Sequence, residues 1–213
     1  MKGFFTSIAT WQGILSIVIV VLASLFLFRK GKKGLSTRDV VAIGIGAALY
    51  GALSYISIPI GPNTSFRIAV ALLPIFGAIF GPIVGFLVGF IGHALNDALM
   101  NGSVWWSWVF LSAFMGMFGG IITFDKDFDV LSGMIQKKHY FKMYMYAIIG
   151  MLVGSVVAYA GDVFLYGEPA AKVWLQIILA NAANLVVIAI VGIPVIILLA
   201  KTKSKNNNLD VDA

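Results

Sequence analysis

The 213-residue chain has no cysteine, only two histidines, and charged residues at just 11% of its positions. Without cysteine it has no disulfide, no thiolate metal site and no cysteine nucleophile. It also lacks a glycine loop followed by Lys and Ser/Thr to cradle nucleotide phosphates, paired histidines spaced as in a membrane metalloprotease, and a serine nucleophile beside a base. No period of about 20 to 50 residues recurs, so repeat architectures are excluded, and no inverted repeat of the kind many secondary transporters carry is visible. A chain without an ATPase, a catalytic constellation or a cofactor motif reads as a non-enzyme with no cofactor and no bound metal.

What it has instead is apolar length, since 60% of its residues are hydrophobic. Crossing the roughly 30 Å of bilayer hydrocarbon takes about 20 helical residues, and suitable spans fall near 8–28, 40–58, 67–80, 82–100, 105–124, 143–166 and 172–200. The third is short, so it is either tilted or only partly crossing. The alternation in ten-residue segments that marks a membrane β-barrel is absent. The expected fold is therefore an all-α integral membrane protein.

The formal net charge of +6 raises the possibility of an anionic partner, and the position of the basic residues decides. Arg29, Lys30, Lys32, Lys33 and Arg38 follow the first span, Lys126, Lys137, Lys138 and Lys142 lie between the fifth and sixth, and Lys201, Lys203 and Lys205 follow the last. Seven crossings put all of these on one side and leave Lys2, Arg67 and Lys172 on the other. By the positive-inside rule the basic side is cytoplasmic, with the N-terminus outside and the C-terminus inside. The charge orients a cell-membrane protein and does not imply nucleic acid. The first span reads as an uncleaved anchor rather than a secretory signal, because basic residues follow it and its apolar run is long. Residues 1–34 are thus an appended membrane anchor with a basic linker, 35–200 a six-helix core, and 201–213 a polar, disordered cytoplasmic tail.

Helical periodicity exposes a polar gradient within the core. One i, i+4 row runs Gly81, Gly85, Gly89, His93, Asp97, with Asn96 beside it; others run Gly150, Gly154, Ala158, Asp162 and Trp108, Ser112, Gly116, Gly120. With the alternating directions of the spans, the glycines fall at the cytoplasmic half and the polar groups at the outer half. Glycine rows let helix backbones approach closely. Ionisable groups within membrane segments are functional candidates, so His93, Asn96, Asp97 and Asp162 either face a substrate or are solvated near the interface. Asn181 and Asn184 lie too deep to face lipid and either bridge helices or line a pocket. Trp105, Trp106, Trp108 and Trp174 form an interfacial belt or the wall of a pocket for a flat ring. The connection SIPIGPNTSF, with Pro59, Gly61, Pro62, Asn63 and Thr64, is a stiff turn leading to Arg67, and is a lid or an ordinary tight connection. AIGIGAALYGA carries small residues at four-residue spacing and offers a surface to another helix, in this chain or in a partner.

The stretch TRDVVAIGIGAALYGALSYISIPIGPNTSF, together with FGPIVGFLVGFIGHALNDAL and NGSVWWSW, closely resembles the substrate-binding membrane subunits, or S components, of energy-coupling factor (ECF) transporters, in their riboflavin-type, UPF0397-like branch. The resemblance covers about residues 36–122 strongly and the later helices by pattern. It implies a six-helix vitamin binder that associates with a transmembrane coupling subunit (T component) and two cytoplasmic ATPases. It further implies that Ala42, Gly46, Ala48 and Ala52 form the coupling face, that Pro59 to Phe66 is the gate, and that substrate binds in the outer half. Asn63, Arg67, His93, Asn96, Asp97, Trp105, Trp108, Asp162, Asn181 and Asn184 are then the candidate substrate contacts. Aromatic and amide groups suit a flavin, a corrinoid or a thiamine-type ring. The first span lies outside the six-helix pattern, so the resemblance assigns it no role. Two rival readings are a freestanding secondary carrier or metal-ion permease using His93, Asp97 and Asp162, and a structural adaptor bound through the small-residue face.

Because the chain is free of cysteine, the orientation has a direct test. Cysteines introduced at Lys33 and Lys138 are expected to react with a membrane-impermeant maleimide only from the cytoplasmic side, and one at Lys2 only from outside. Labelling at Lys2 from the cytoplasm overturns the seven-span threading.

Overall fold

The structure, a computed structural model, describes residues 6–29 and 34–209. Lys2, the linker lysines Lys30, Lys32 and Lys33, and the last four residues of the expected tail lie outside the described residues. The order is α1 (Trp11–Arg29), α2 (Thr37–Leu53), a hairpin of β1 (Ser57–Gly61) and β2 (Thr64–Arg67), α3 (Leu72–Phe80), α4 (Pro82–Met100), α5 (Trp106–Gly120), α6 (Lys137–Ala160), α7 (Ala170–Val187) and α8 (Ile193–Leu209). A 3-10 turn, Ile68–Ala71, leads into α3, and a π-helical turn, Ile188–Gly192, joins α7 and α8 into one rod. Four of these rods are long and apolar enough to cross a membrane: Pro82–Met100, Trp106–Phe124, Lys137–Leu165 and Ala170–Lys205.

Local chemistry fixes the boundaries. Ser36 caps α2 by a reciprocal box in which its hydroxyl accepts from the Asp39 N–H at 3.2 Å and the Asp39 carboxylate accepts from the Ser36 N–H at 2.9 Å. Between α3 and α4 the chain turns on Gly81, whose φ of +94° only glycine adopts freely, and Pro82 opens the next helix where no N–H is needed. The sixth span starts earlier than its apolar run, at Lys137, because Gln136 and His139 cap its first turn.

Three expectations change in detail. The second span ends at Leu53 rather than 58, and SIPIGPNTSF is not a plain turn but a paired hairpin in register Ser57↔Arg67, with an irregularity between Pro59 and Gly61. Its tip is Asn63, at φ +49°, a conformation that asparagine tolerates. The segment after Ala200 begins as helix and stays so through Leu209, since continuing an existing helix is far easier than starting one.

The helices draw together at one end through bare backbone. A Cβ on Gly85 would run into the backbone of Gly116, and a Cβ on Gly116 into that of Gly85; Gly89 meets Ser112 and Ala113 in the same way, and Gly154 meets Leu111. The α4, α5 and α6 backbones touch where these glycines lie, and further along the same rows the residues become polar. Outward faces are apolar, with Ile14, Leu22, Leu152, Val156, Ile178 and Ile190 exposed.

Gly85→Ala is expected to lower stability by about 1–3 kcal/mol through overpacking against backbone that has no side chain to move aside. The readout is a thermal melt of the detergent-purified protein. Gly44→Ala, where nothing lies within 4 Å of the added carbon, should melt no lower than the parent.

Candidate functional site

The polar ends of the glycine rows line a cavity of about 470 Å³. Its floor and walls come from the C-terminal ends of α2, α4 and α6 and the N-terminal ends of α5 and α7, and the hairpin roofs it. Since the loop of Lys126, Lys137 and Lys138 joins the opposite ends of α5 and α6, the cavity lies away from those basic residues.

On α4, His93, Asn96 and Asp97 are all buried and linked to their neighbours. The Asp97 carboxylate accepts from the Trp105 backbone N–H at 3.0 Å and from the Asn96 amide at 3.3 Å, and His93 Nε2 stands 3.5 Å away. The other face of the imidazole, Nδ1, pairs with the Ser112 hydroxyl at 2.6 Å, and that hydroxyl lies 3.3 Å from the Tyr50 hydroxyl. Asp162 sits on α6's continuation, a π-helical turn over Gly161–Leu165. Its carboxylate accepts from the indole N–H groups of Trp105 at 2.7 Å and Trp108 at 2.8 Å, and from the Ser107 hydroxyl. The ring of Tyr166 stacks on Trp105 at 4.7 Å. The wall is therefore two indoles pinned by one carboxylate.

Arg67, at the end of β2, also lines the cavity, and among the described residues its buried Nε has no hydrogen-bond partner. Near the mouth, Lys172 pairs with Glu168 at 2.6 Å. The hairpin is held down by Gln176, whose side-chain amide donates to the Pro62 carbonyl at 3.0 Å; the Thr64 hydroxyl donates to the same carbonyl at 2.9 Å.

Of the residues singled out from sequence, Asn63, Arg67, His93, Asn96, Asp97, Trp105, Trp108, Asp162 and Asn184 line this cavity, as do Pro59, Gly61 and Thr64 of the hairpin. Asn181 does not. Its amide donates to Ser155 on α6 at 2.8 Å, so of the two asparagines one bridges helices and the other lines the pocket. Trp106 does not line this cavity but is packed in a second apolar core with Phe90, Ala94 and Val109. Trp174 faces outward, 54% exposed. The small-residue face also divides. Ala42 and Gly46 are buried, a Cβ on Gly46 meeting Val88 at 2.7 Å and Phe76 at 2.8 Å, whereas Ala48 and Ala52 are exposed together with Gly44. The outward row is thus Gly44, Ala48, Ala52, and the Ala42–Gly46 edge packs inside the protein.

The sequence patterns do not single out Gln176, Ser107, Ser54 or Tyr166. For Gln176 a signal exists, since Gln176, Ala180 and Asn184 form one i, i+4 row, and all three line the cavity. Tyr166 and Ser54 carry no such local signal. The set His93, Asp97 and Asp162, considered as metal ligands, divides into a hydrogen-bonded helix pair and a carboxylate occupied by indoles, and no group of three or more His, Asp or Glu placed for a metal occurs among the described residues.

A family model described as the S component of an ECF-type riboflavin transporter matches residues 34–201. A UPF0397 protein of Lactobacillus johnsonii is 42% identical over 184 residues, spanning 85% of this chain and 98% of that protein. The solved structure of ThiT from Listeria monocytogenes superposes with a TM-score of 0.50 over 78% of this chain and 95% of that one, at 21% identity, which is a likeness of fold.

The division of the two asparagines has separate consequences. Asn181→Ala is expected to lower the melting temperature, because the Ser155 hydroxyl loses its donor between two helices, at a cost of about 1–3 kcal/mol. Asn184→Ala, whose amide reaches only the Met115 sulfur at 3.8 Å, is expected to change the melting temperature less.

Proposed function

Because the chain belongs to the family of S components of ECF-type riboflavin transporters, we propose that its cavity captures a vitamin-type solute from outside the cell for uptake driven by separate ATPase subunits. The family makes it a multi-pass membrane protein and a transporter subunit. The observation that carries the finer reading is the cavity itself, a polar hollow reached from one end of the bundle under a hairpin. It is lined by two fixed indoles, a cluster of amides and hydroxyls, and an arginine with an open donor.

The cavity falls in the lower half of the roughly 300–1,000 Å³ range of sites that enclose drug-sized ligands. That size suits a flavin or thiamine-type ring and is small for a corrinoid. Trp105 and Trp108, set by Asp162, offer edges or faces for a planar ring, while Arg67, Asn96 and Asn184 supply directional polar contacts. The hairpin closes over the entrance through Gln176 and Pro62. Release on the other side requires a partner, and the exposed row Gly44, Ala48, Ala52 is a surface that a coupling-subunit helix approaches closely. The alternative of a metal permease would need a ligand set, and no group of three His, Asp or Glu placed for a metal occurs among the described residues.

Mass spectrometry of the small molecule retained through purification identifies the substrate, and titration with that molecule then tests the site. Asp97→Ala and Asn184→Ala are expected to weaken binding about ten- to a hundredfold, the effect of losing a hydrogen bond worth roughly 1.5–3 kcal/mol. Asp125→Ala is the control. That carboxylate lies in the loop at the opposite end, where donation from Lys142 holds it below its ordinary range. Ala48→Trp should leave affinity intact and abolish co-purification with the coupling subunit. Near-native affinity in both pocket variants moves the binding site elsewhere.

A further inference from the structure

The family match begins at residue 34, so α1 and the turn before it are extra to what the family shares. Their packing is nevertheless specific. The Ser7 hydroxyl accepts from the Val104 backbone N–H at 3.1 Å, and the Ser7 carbonyl accepts from the Trp106 indole N–H at 3.3 Å. Thr10 donates its hydroxyl to the same Ser7 carbonyl at 2.7 Å and accepts from the Gly13 N–H at 3.1 Å, which fixes the turn that presents Ser7. Gly13 allows this approach, since a Cβ there would stand 3.0 Å from the Trp106 indole nitrogen and closer still to the turn's own carbonyls. Ile8, Ile17 and Val20 then close the apolar core around Trp106, Phe90 and Val109. Ser7, Val104 and Trp106 are all buried.

The segment gripped in this way is the one that carries the cavity wall. Trp105 donates its backbone N–H to Asp97 and its indole N–H to Asp162; Trp108 donates its indole N–H to the other oxygen of Asp162; and the Trp106 backbone N–H donates to the Tyr166 hydroxyl at 3.3 Å. Ser7 lies on the far side of this segment and does not line the cavity. We propose that the N-terminal helix is a brace for the substrate cavity, with Ser7 and Gly13 as positioning residues that hold 104–108 so that the Trp105 and Trp108 indoles stay locked on Asp162.

This deepens the reading of the cavity as the binding site, and its test reads the wall directly, so it stands or falls apart from the identity of any substrate. The full-length protein, with its tryptophans and glycines labelled by 15N, is taken into D2O in detergent, and exchange of the five indole N–H groups and of the glycine amides is followed by NMR. Ser7→Ala and Gly13→Leu are each expected to speed exchange at Trp105 and Trp108 by roughly tenfold, the size of one lost hydrogen bond. Backbone exchange at Gly85 and Gly116 should stay as in the parent, and Ile14→Ala, on the exposed face of α1, should change nothing. If Gly13→Leu does not fold, Ser7→Ala decides alone. Unchanged exchange at Trp105 and Trp108, or an equal rise at Gly85 and Gly116, overturns the proposal, because α1 is then either irrelevant to the wall or merely part of global stability.

Discussion

A carboxylate buried in a membrane helix, with no ion-pair partner among the described residues, has to be satisfied by neutral donors. Asp162 is 2% exposed, and burying a polar group without hydrogen-bond partners is costly. Two indole N–H groups and a hydroxyl do the work, and each donor is thereby fixed in place. Because the indoles belong to Trp105 and Trp108, the satisfaction of one acid on α6 determines the shape of the wall on α5. The Trp105 backbone N–H in turn satisfies Asp97 on α4, so three helices share a single polar seam.

That seam survives because the other half of the bundle is rigid. Backbone packed on backbone at Gly85 and Gly116 leaves no side chain to adjust, and α4 and α5 are pinned there at a fixed separation. Lipid provides no hydrophobic drive for helices to associate, so close backbone contact of this kind carries much of the cohesion. About two and three turns beyond Gly85, the same α4 row carries His93 and Asp97, which line the cavity. A hollow of fixed size is the geometric result, with polar residues at its surface because they stand above the glycines in the same rows.

That much is legible in the periodicity of the chain. A row such as Gly85, Gly89, His93, Asp97 states both which residues share a face and in which order they meet the membrane. The same rule separates Asn184 from Asn181, since only the former shares a row with Gln176 and Ala180, yet taking the two as a pair hides the difference. Periodicity says which residues are neighbours on a helix but not which way the face turns, and the small residues of α2 show the cost: Ala42 and Gly46 point inward, Ala48 and Ala52 outward. The hairpin is visible in sequence as a stiff connection, but its anchoring depends on Gln176, more than a hundred positions away, and no local pattern contains it. Trp106 is hidden for the same reason, since its partner is Ser7.

The π-helical turn at Gly161–Leu165 has a further implication for how the chain tolerates change in length. An ordinary helix advances about 100° per residue, and a π turn holds one residue more than the regular winding. Asp162 and Tyr166 therefore meet the same α5 segment from two angular phases of one helix, the acid receiving its indoles and the phenol receiving its backbone. A single-residue deletion in that turn would leave the span long enough to cross the bilayer and apolar enough to insert, yet would rotate one of the two away from its partner. In this stretch the spacing of residues is under tighter restraint than their hydrophobicity.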